Sequence, residues 1–244
     1  MRKILAFFTA AAALALICGC SGKKGESAKT VIQNKGSDTM VNIAQAWAEA
    51  YKKASPEIEI EVSGGGSGVG IAALSKGAVD IANSSRNLKK KEIEDALAST
   101  GKEPVETIVG YDALAIYINK DNPLETISME QIAEIYKEGG SITKWSDLGV
   151  TMPPKYDNII RVSRQSSSGT YEFLRGKVLK NVDFKLGSCD LNGSKEVVEL
   201  VSNTPSAIGY SGMGYTTRGV KMLKVIPAEG KPPVEPTQET TLDK

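Results

Sequence analysis

Histidine is missing from this chain of 244 residues. Without an imidazole, Ser-His-Asp and Cys-His catalysis and His-ligated metal centres are excluded. Cysteine is scarce, with Cys18 and Cys20 near the N-terminus and Cys189 far from both. Cys189 alone closes neither an internal disulfide nor a thiolate metal cluster, so the fold must rest on its core. That thiol is expected to be a small, semi-buried residue. An excess of charge is lacking too, because 30 Lys and Arg face 29 Asp and Glu. With no basic surplus to attract nucleic acid, an anionic ligand must be held by local geometry. No apolar run reaches the ~20 residues of a comfortable membrane span. Neither internal repeats nor coiled-coil heptads occur. Chemistry is left to hydroxyls, amides, carboxylates, Lys and Arg.

The N-terminus is where apolar residues do gather. Arg2 and Lys3 precede the run from Ile4 to Ile17, and Gly19 and Cys20 follow it. A basic end, a short apolar stretch and a small residue before the cut make a secretory signal over residues 1–19. Ile17-Cys18-Gly19-Cys20 resembles the bacterial lipobox, whose final Cys receives lipid and becomes the mature N-terminus; Cys18 is unusual for its place in that pattern. Residues 20–29 are polar after Cys20 and read as a flexible tether. Loss of Arg2 and Lys3 with the signal takes the formal charge from +1 to about −1.

Beyond the tether, short β-rich runs alternate with helical periodicity. Val31-Ile32 opens a strand that breaks at Gly36-Ser37-Asp38-Thr39. Ile43, Trp47, Ala50, Tyr51 and Ala54 then fall on one face of an amphipathic helix. Ile58, Ile60 and Val62 alternate with Glu57, Glu59 and Glu61, as in a strand with one buried face. A short helix through Leu74, a strand over Val79 to Ala82, and a charged helix over Lys89 to Ser99 pinned by Ile93, Ala96 and Leu97 come next. Apolar runs at 108–109 and 113–118 flank Gly110-Tyr111-Asp112. Ser128 and Gln131 form a capping box for a helix that buries Ile132, Ile135 and Tyr136. Further strands fit 159–162, 207–210 and 220–226; helices fit the residues around Phe173, Leu174 and Val178, and those from Ser194 through Val201. This strand-loop-helix alternation favours an α/β layer with parallel strands.

Three segments share one design, a hydroxyl- and glycine-rich loop leading into a helix: Gly36 to Thr39, Ser63 to Gly68, and Ser166 to Thr170. The first turn of a helix offers unpaired N–H groups and partial positive charge. Glycines let amides close around an anion, and Ser and Thr hydroxyls add further donors. Any one of these loops also reads as an ordinary helix cap. All three together, with Arg86 and Arg164 beside serine clusters, point to an oxyanion site. Nucleotide motifs fail: Gly64 to Gly70 does not fit G-x-G-x-x-G, since position 69 is Val, and lacks the Gly-Lys-Ser/Thr ending of a P-loop.

Those loops carry a family resemblance. Gly36-Ser-Asp-Thr-Met40, Ser63 to Gly68, Val79-Asp-Ile-Ala-Asn-Ser-Ser-Arg86 and Arg164-Gln-Ser-Ser-Ser-Gly-Thr170 resemble, in order, the four binding loops of the phosphate-binding proteins of bacterial ABC phosphate importers. Thr143 to Leu148 and Ala207 to Tyr215 resemble two further signatures of that family. The resemblance implies an α/β, two-lobed type II periplasmic-binding fold and a binding protein rather than an enzyme. It also implies no cofactor or metal and no nucleic-acid partner. A monomer, anchored through lipid on Cys20 to the cell membrane and facing the periplasm or exterior, would pass inorganic phosphate to membrane permease subunits. Lobe one is expected over 30–112 and 207–244, and lobe two over 113–206. The implied phosphate ligands are Ser37, Asp38, Thr39, Ser67, Ser85, Arg86, Arg164, Ser168, Gly169 and Thr170. Arg86 is placed in contact with the anion ahead of its other role, balancing a carboxylate.

One departure concerns selectivity. Many family members place an Asp where this chain has Ser85, and that carboxylate accepts the proton of hydrogen phosphate. Asp38 is the expected substitute, with capping of the following helix as its alternative role. A second departure is length: relatives add a strand and C-terminal helical structure after a stretch like Pro227 to Lys244, so part of lobe one is expected to be missing. The rival readings are a binder of another tetrahedral oxyanion, sulfate or molybdate, and a serine enzyme. The latter rests on Ser141-Ile-Thr-Lys144, which fits Ser-x-x-Lys but lacks the companion Ser-Asp-Asn and Lys-Thr-Gly motifs.

Overall fold

A computed structural model describes residues 30–242; the signal, Cys20 and the tether lie outside the described residues. Two sheets organise the chain. The first takes β1 (Thr30–Gly36), β2 (Ile58–Ser63) and β3 (Ile81–Asn83) in the order β2-β1-β3, all parallel. Parallel neighbours need crossovers, and α1 (Val41–Ala54) and α2 (Ser67–Ser75) supply them, with α3 (Lys90–Thr100) following β3. Gln33 is paired with Glu61 both in register and through a side-chain hydrogen bond of 2.7 Å.

The second sheet is larger and mixed. It is built from β4 (Leu114–Asn119), β6 (Ile160–Arg164), β7 (Cys189–Leu191), β8 (Ala207–Gly212) and β9 (Val220–Met222), ordered β7-β6-β8-β4-β9. β6 runs parallel to β7 and β8, whereas β4 runs antiparallel to β8 and β9. The purely parallel layer expected from the alternating pattern therefore holds for the first sheet and fails at β4. A separate pair joins β5 (Thr126–Ser128) to β10 (Lys224–Ile226). Residues 207–226, grouped by the sequence with 30–112, thus pair with strands between 114 and 164.

Two apolar clusters cover the faces of the larger sheet. Ile116, Ile118, Ile208 and Tyr210 pack with α4 (Met129–Tyr136), Trp145 and Leu174 of α5 (Gly169–Lys177). Ala115, Tyr117 and Val162 pack with Val197, Val198 and Val201 of α6 (Ser194–Asn203). The α4 capping box forms as expected: Gln131 N–H donates to Ser128 Oγ at 3.0 Å, and Ser128 N–H donates to Gln131 Oε1 at 2.8 Å. Tyr136, fully buried, keeps its hydroxyl satisfied by donating to the carbonyls of Val162 and Ile208 at 3.1 and 2.9 Å.

Other expectations fail, most of them around the three-stranded sheet. Ile43, Trp47 and Tyr51 do share one face of α1, but that face is exposed, and Ala44 is the helix's one buried residue. Leu97 of α3 is exposed as well. The apolar stretch at 108–109 forms no strand. Cys189 is exposed rather than semi-buried, because its place on β7 puts it at the sheet's edge. The polar C-terminal stretch carries a short helix, α7 (Gln238–Leu242).

Candidate anion-binding site

The loops singled out by sequence meet between the two sheets. Gly36 ends β1, and the chain turns at once through Ser37, Asp38 and Thr39 into α1. Ser67 opens α2, Ser85 follows β3, Arg164 ends β6, and Ser168 caps α5. Parallel strands all point their C-terminal ends one way, so the loops that follow converge, and ligands of open α/β sheets gather there.

Arg164 is the most buried charge in this cluster, at 1% exposure. Its Nη1 donates to Ser194 Oγ at 3.0 Å, and its Nη2 donates to the Asn192 carbonyl at 2.7 Å and to Asp38 Oδ2 at 3.1 Å. Its Nε is buried with no hydrogen-bond partner. An orphaned donor on a buried guanidinium costs free energy unless an acceptor reaches it. Burial pushes the pKa of Arg164 down, while Asp38 opposes that shift. Asp38 itself is held from two sides, since Oδ1 also accepts the Gly65 N–H at 2.9 Å.

Hydroxyls fill the adjacent corner. Ser37, Thr39 and Ser85 are mutually hydrogen-bonded, with Ser37–Thr39 at 2.9 Å, Thr39–Ser85 at 2.7 Å and a short Ser37–Ser85 contact closing the triangle. Ser85 N–H donates to Ser67 Oγ at 3.0 Å. Ser168 Oγ accepts the N–H groups of Thr170 and Tyr171 at 3.2 and 3.4 Å. Gly169 lies against the same group: a Cβ there would stand 2.6 Å from Ser67 Oγ and 3.0 Å from the Ser85 Cβ. Glycine is therefore required for close approach rather than for its backbone angles.

The two bodies touch through these loops. Gly68 N–H donates to the Ser167 carbonyl at 2.9 Å, and Ser167 Oγ donates to the Gly65 carbonyl at 3.3 Å. Gly66, at φ +94°, has no room for a side chain, since a Cβ would meet the Ser167 carbonyl at 2.7 Å. Lys89 and Glu172 pair at 2.8 Å across the same junction. Tyr215 donates to the Asp38 carbonyl at 2.8 Å, fastening the loop from the side of β8.

Of the ten expected ligands, nine cluster here and Arg86 is turned to another task. Its guanidinium grips Glu92 through two bonds of 2.9 and 2.7 Å and also donates to the Asn87 carbonyl at 2.9 Å. That pair holds Glu92 below the usual carboxylate pKa range. Sequence reasoning missed Ser194 and Asn192 as the supports of Arg164. Ser194 opens α6, and nothing in its spacing links it to an arginine thirty positions earlier. The Ser141 hydroxyl donates to Glu134 at 3.1 Å, a surface bond of the α4 end. Among the described residues no cluster of acidic or cysteine side chains could hold a metal ion, and no helix is long and apolar enough to cross a membrane.

Two α/β bodies whose loops converge on buried donors define a solute-binding protein of the periplasmic-binding kind, and the PBP superfamily domain matches residues 24–243. The chain belongs to that superfamily and, within it, to the family of the phosphate-binding proteins, which are substrate-binding proteins and not enzymes. It is 33% identical over 218 residues to Phosphate-binding protein PstS of Pseudomonas aeruginosa, covering 87% of this chain and 68% of that one. Phosphate-binding protein PstS of Borreliella burgdorferi is 28% identical over 233 residues, covering 92% and 77%. Among solved structures, a phosphate ABC transporter substrate-binding protein of Clostridium perfringens with bound phosphate superposes at a TM-score of 0.74. It shares 31% identity and covers 88% of this chain and 81% of that one. An ABC-type phosphate transport receptor from Vibrio cholerae superposes at 0.60, with 28% identity and coverage of 81% and 78%.

Proposed function

We propose that this chain captures inorganic phosphate outside the cell membrane and delivers it to the permease subunits of an ABC importer. The observation that carries this reading is the buried Arg164 with an unpartnered Nε beside a cluster of hydroxyls and helix-opening amides. A buried guanidinium with a free N–H, set beside neutral hydroxyls and amides, suits a small oxyanion stripped of water. In this reading the anion touches Ser37, Thr39, Ser67, Ser85, Arg164, Ser168, Gly169 and Thr170. Asp38 holds Arg164 in place, and Arg86 stiffens the Ser85 loop through Glu92. Lobe one is taken as the body of the three-stranded sheet and lobe two as that of the five-stranded sheet, joined by the segment 101–113. Lipid on Cys20 anchors the chain, with residues 21–29 as tether.

Calorimetry tests the capture step. Wild type should bind phosphate, and Arg164→Ala should bind it at least tenfold more weakly, since charge-assisted hydrogen bonds contribute about 1.5–3 kcal/mol each. Arg164→Lys should restore little, because a point charge does not reproduce the fork. Unchanged affinity in a folded Arg164→Ala protein removes Arg164 from the site. For the anchor, labelled fatty acid should appear on wild type and vanish in Cys20→Ala; label that persists in the variant removes the lipid from Cys20.

A further inference from the structure

We infer that Lys89 and Glu172 form a clasp across the mouth of the site, as positioning residues outside the anion's own contacts that set how fast it is released. The inference rests on the anion-capture reading above and adds to it a pair that governs retention. Arg164 is 1% exposed, so an anion at its Nε lies behind the loops that join the two bodies. It leaves only when those loops part. Whatever resists their parting slows release.

Most bonds at the junction belong to the site itself or run through the main chain, as do Arg164–Asp38, Tyr215–Asp38 and Gly68–Ser167. Lys89 and Glu172 do neither. They are opposite charges 2.8 Å apart, one from each body, with side chains 54% and 37% exposed. Both spring from segments that carry expected ligands. Lys89 follows the Ser85 loop and precedes α3, while Glu172 sits in the first turn of α5, just past Thr170. Those segments face each other closely, since a Cβ on Gly169 would stand 3.0 Å from that of Ser85. The main chain is tied down on both sides. Lys89 N–H donates to Glu92 at 2.8 Å, and Glu172 N–H donates to the Ser168 carbonyl at 3.1 Å. Two long side chains thus meet over the junction from fixed points.

Each partner also hides the other from the anion. The Glu172 carboxylate suits the positive end of α5, yet it stands beside the helix-opening amides that would greet an anion. Lys89 cancels its charge there. Arg86, whose pKa is raised chiefly by its bond to Glu92, feels the Glu172 charge as well, so that carboxylate faces the Ser85 loop. Removing either charge undoes the clasp, but the two removals leave opposite fields at the mouth. A bare Glu172 repels an arriving anion, and a bare Lys89 attracts it. A merely structural contact has no reason to move capture in two directions.

The test is rapid filtration of the full-length chain, in detergent at neutral pH and low salt, with radiolabelled inorganic phosphate for capture and an unlabelled excess for release. Lys89→Gln and Glu172→Gln should each quicken release about two- to fivefold, the range an exposed pair supplies. Capture should slow in Lys89→Gln and quicken in Glu172→Gln. At roughly 1 M potassium chloride the screening length is about 3 Å, and wild-type release should rise to that of the variants. Exchanging the charges, Lys89→Glu with Glu172→Lys, should restore slow release at low salt. Release within about 1.5-fold of wild type in both single variants overturns the clasp. So does capture that shifts the same way in both, or an exchanged pair that releases as fast as the single variants. Should a variant fail to fold, wild-type release that ignores salt overturns the clasp alone. Wild type that binds no phosphate defeats the capture reading itself, whereas tight binding with unaltered release in the variants defeats only the clasp.

Discussion

The two bodies of this molecule share an architecture and differ in how much they bury. Around the five-stranded sheet, both faces are closed by apolar clusters that include Trp145, Tyr136, Tyr210 and Leu174 at complete burial. In the three-stranded body the buried apolar side chains are Ala44, Ile71 and Ala96, while Ile43, Trp47, Tyr51, Ile81 and Leu97 stay exposed. Both bodies nonetheless contribute loops to the same site. Buried apolar area is the main favourable term in folding, at about 25 cal/mol per Å². The larger body therefore carries most of the stability, and the smaller one is held by its parallel ladder, its caps and its contact with the larger. In functional terms, the site joins a rigid half that fixes Arg164 to a softer half that brings the hydroxyl triangle.

The largest expected effect contrasts one tryptophan in each body. Trp145 is fully buried and donates its indole N–H to the Ser206 carbonyl at 3.2 Å. Trp145→Ala should cost about 3–5 kcal/mol in urea unfolding, through the lost burial and the cavity left behind. Trp47, 44% exposed on α1, should cost under about 1 kcal/mol when changed to Ala, as surface substitutions usually do. Equal losses at the two positions would show that the α1 face is covered and that the contrast between the bodies is false.

Next in size is the junction. Gly66→Ala combines a left-handed backbone angle with a clash against the Ser167 carbonyl. Its expected signature is a fall in phosphate affinity of roughly tenfold or more with little change in the unfolding midpoint, since the larger core is untouched. A variant that unfolds early but still binds would place Gly66 in folding rather than in the junction. Hydrogen exchange should separate the bodies as well. Amides of β4 and β8 should be protected to nearly the global unfolding free energy, and those of β1 and β3 should exchange through cheaper local opening. Uniform protection would mean that the bodies unfold as one unit.

Much of this was legible in the residues, for reasons that differ by element. Periodicity found β2, α4 and α6, because a helix or strand that buries one face must repeat at its own period. The anion loops were legible because helix starts with Ser, Thr and Gly are chemically specific. The exposure of Trp47 was not, since amphipathicity tells which residues share a face but not whether anything packs on it. The antiparallel course of β4 escaped for a similar reason: a strand's own residues do not encode the direction of its neighbour. Asp38 looked like a lone carboxylate facing an anion. Its contact with Arg164, 126 positions away, appears only when both sheets are in place. Arg86 looked like a ligand beside serines, yet the carboxylate that claims it, Glu92, sits only one helical turn and a half further on.

The smallest expected effect sharpens the contrast from the acid side. Glu92 accepts two bonds from Arg86 and the Lys89 N–H at 2.8 Å, so it both pairs a cation and caps α3. The Arg86 hydrogen bond is the main cause of its lowered pKa, with burial working against it. A carboxyl whose folded pKa is depressed stabilises the fold fully above its unfolded value, about 4.3 for Glu, and loses that contribution as pH falls through the folded value. The Ser84 to Arg86 loop should therefore loosen below about pH 4.3, in the smaller body first, while the neutral apolar core of the larger body is unaffected by this group. Glu92→Gln should remove that acid-side slope from α3 exchange, at a cost near 1 kcal/mol at neutral pH because the pair is partly solvent-screened. It should weaken phosphate binding only a few-fold, since Ser85 would keep its backbone bond to Ser67. An acid-side slope that survives in Glu92→Gln would assign the sensitivity to another carboxyl. A slope equally strong in the amides of β4 and β8 would show that the two bodies answer to acid together.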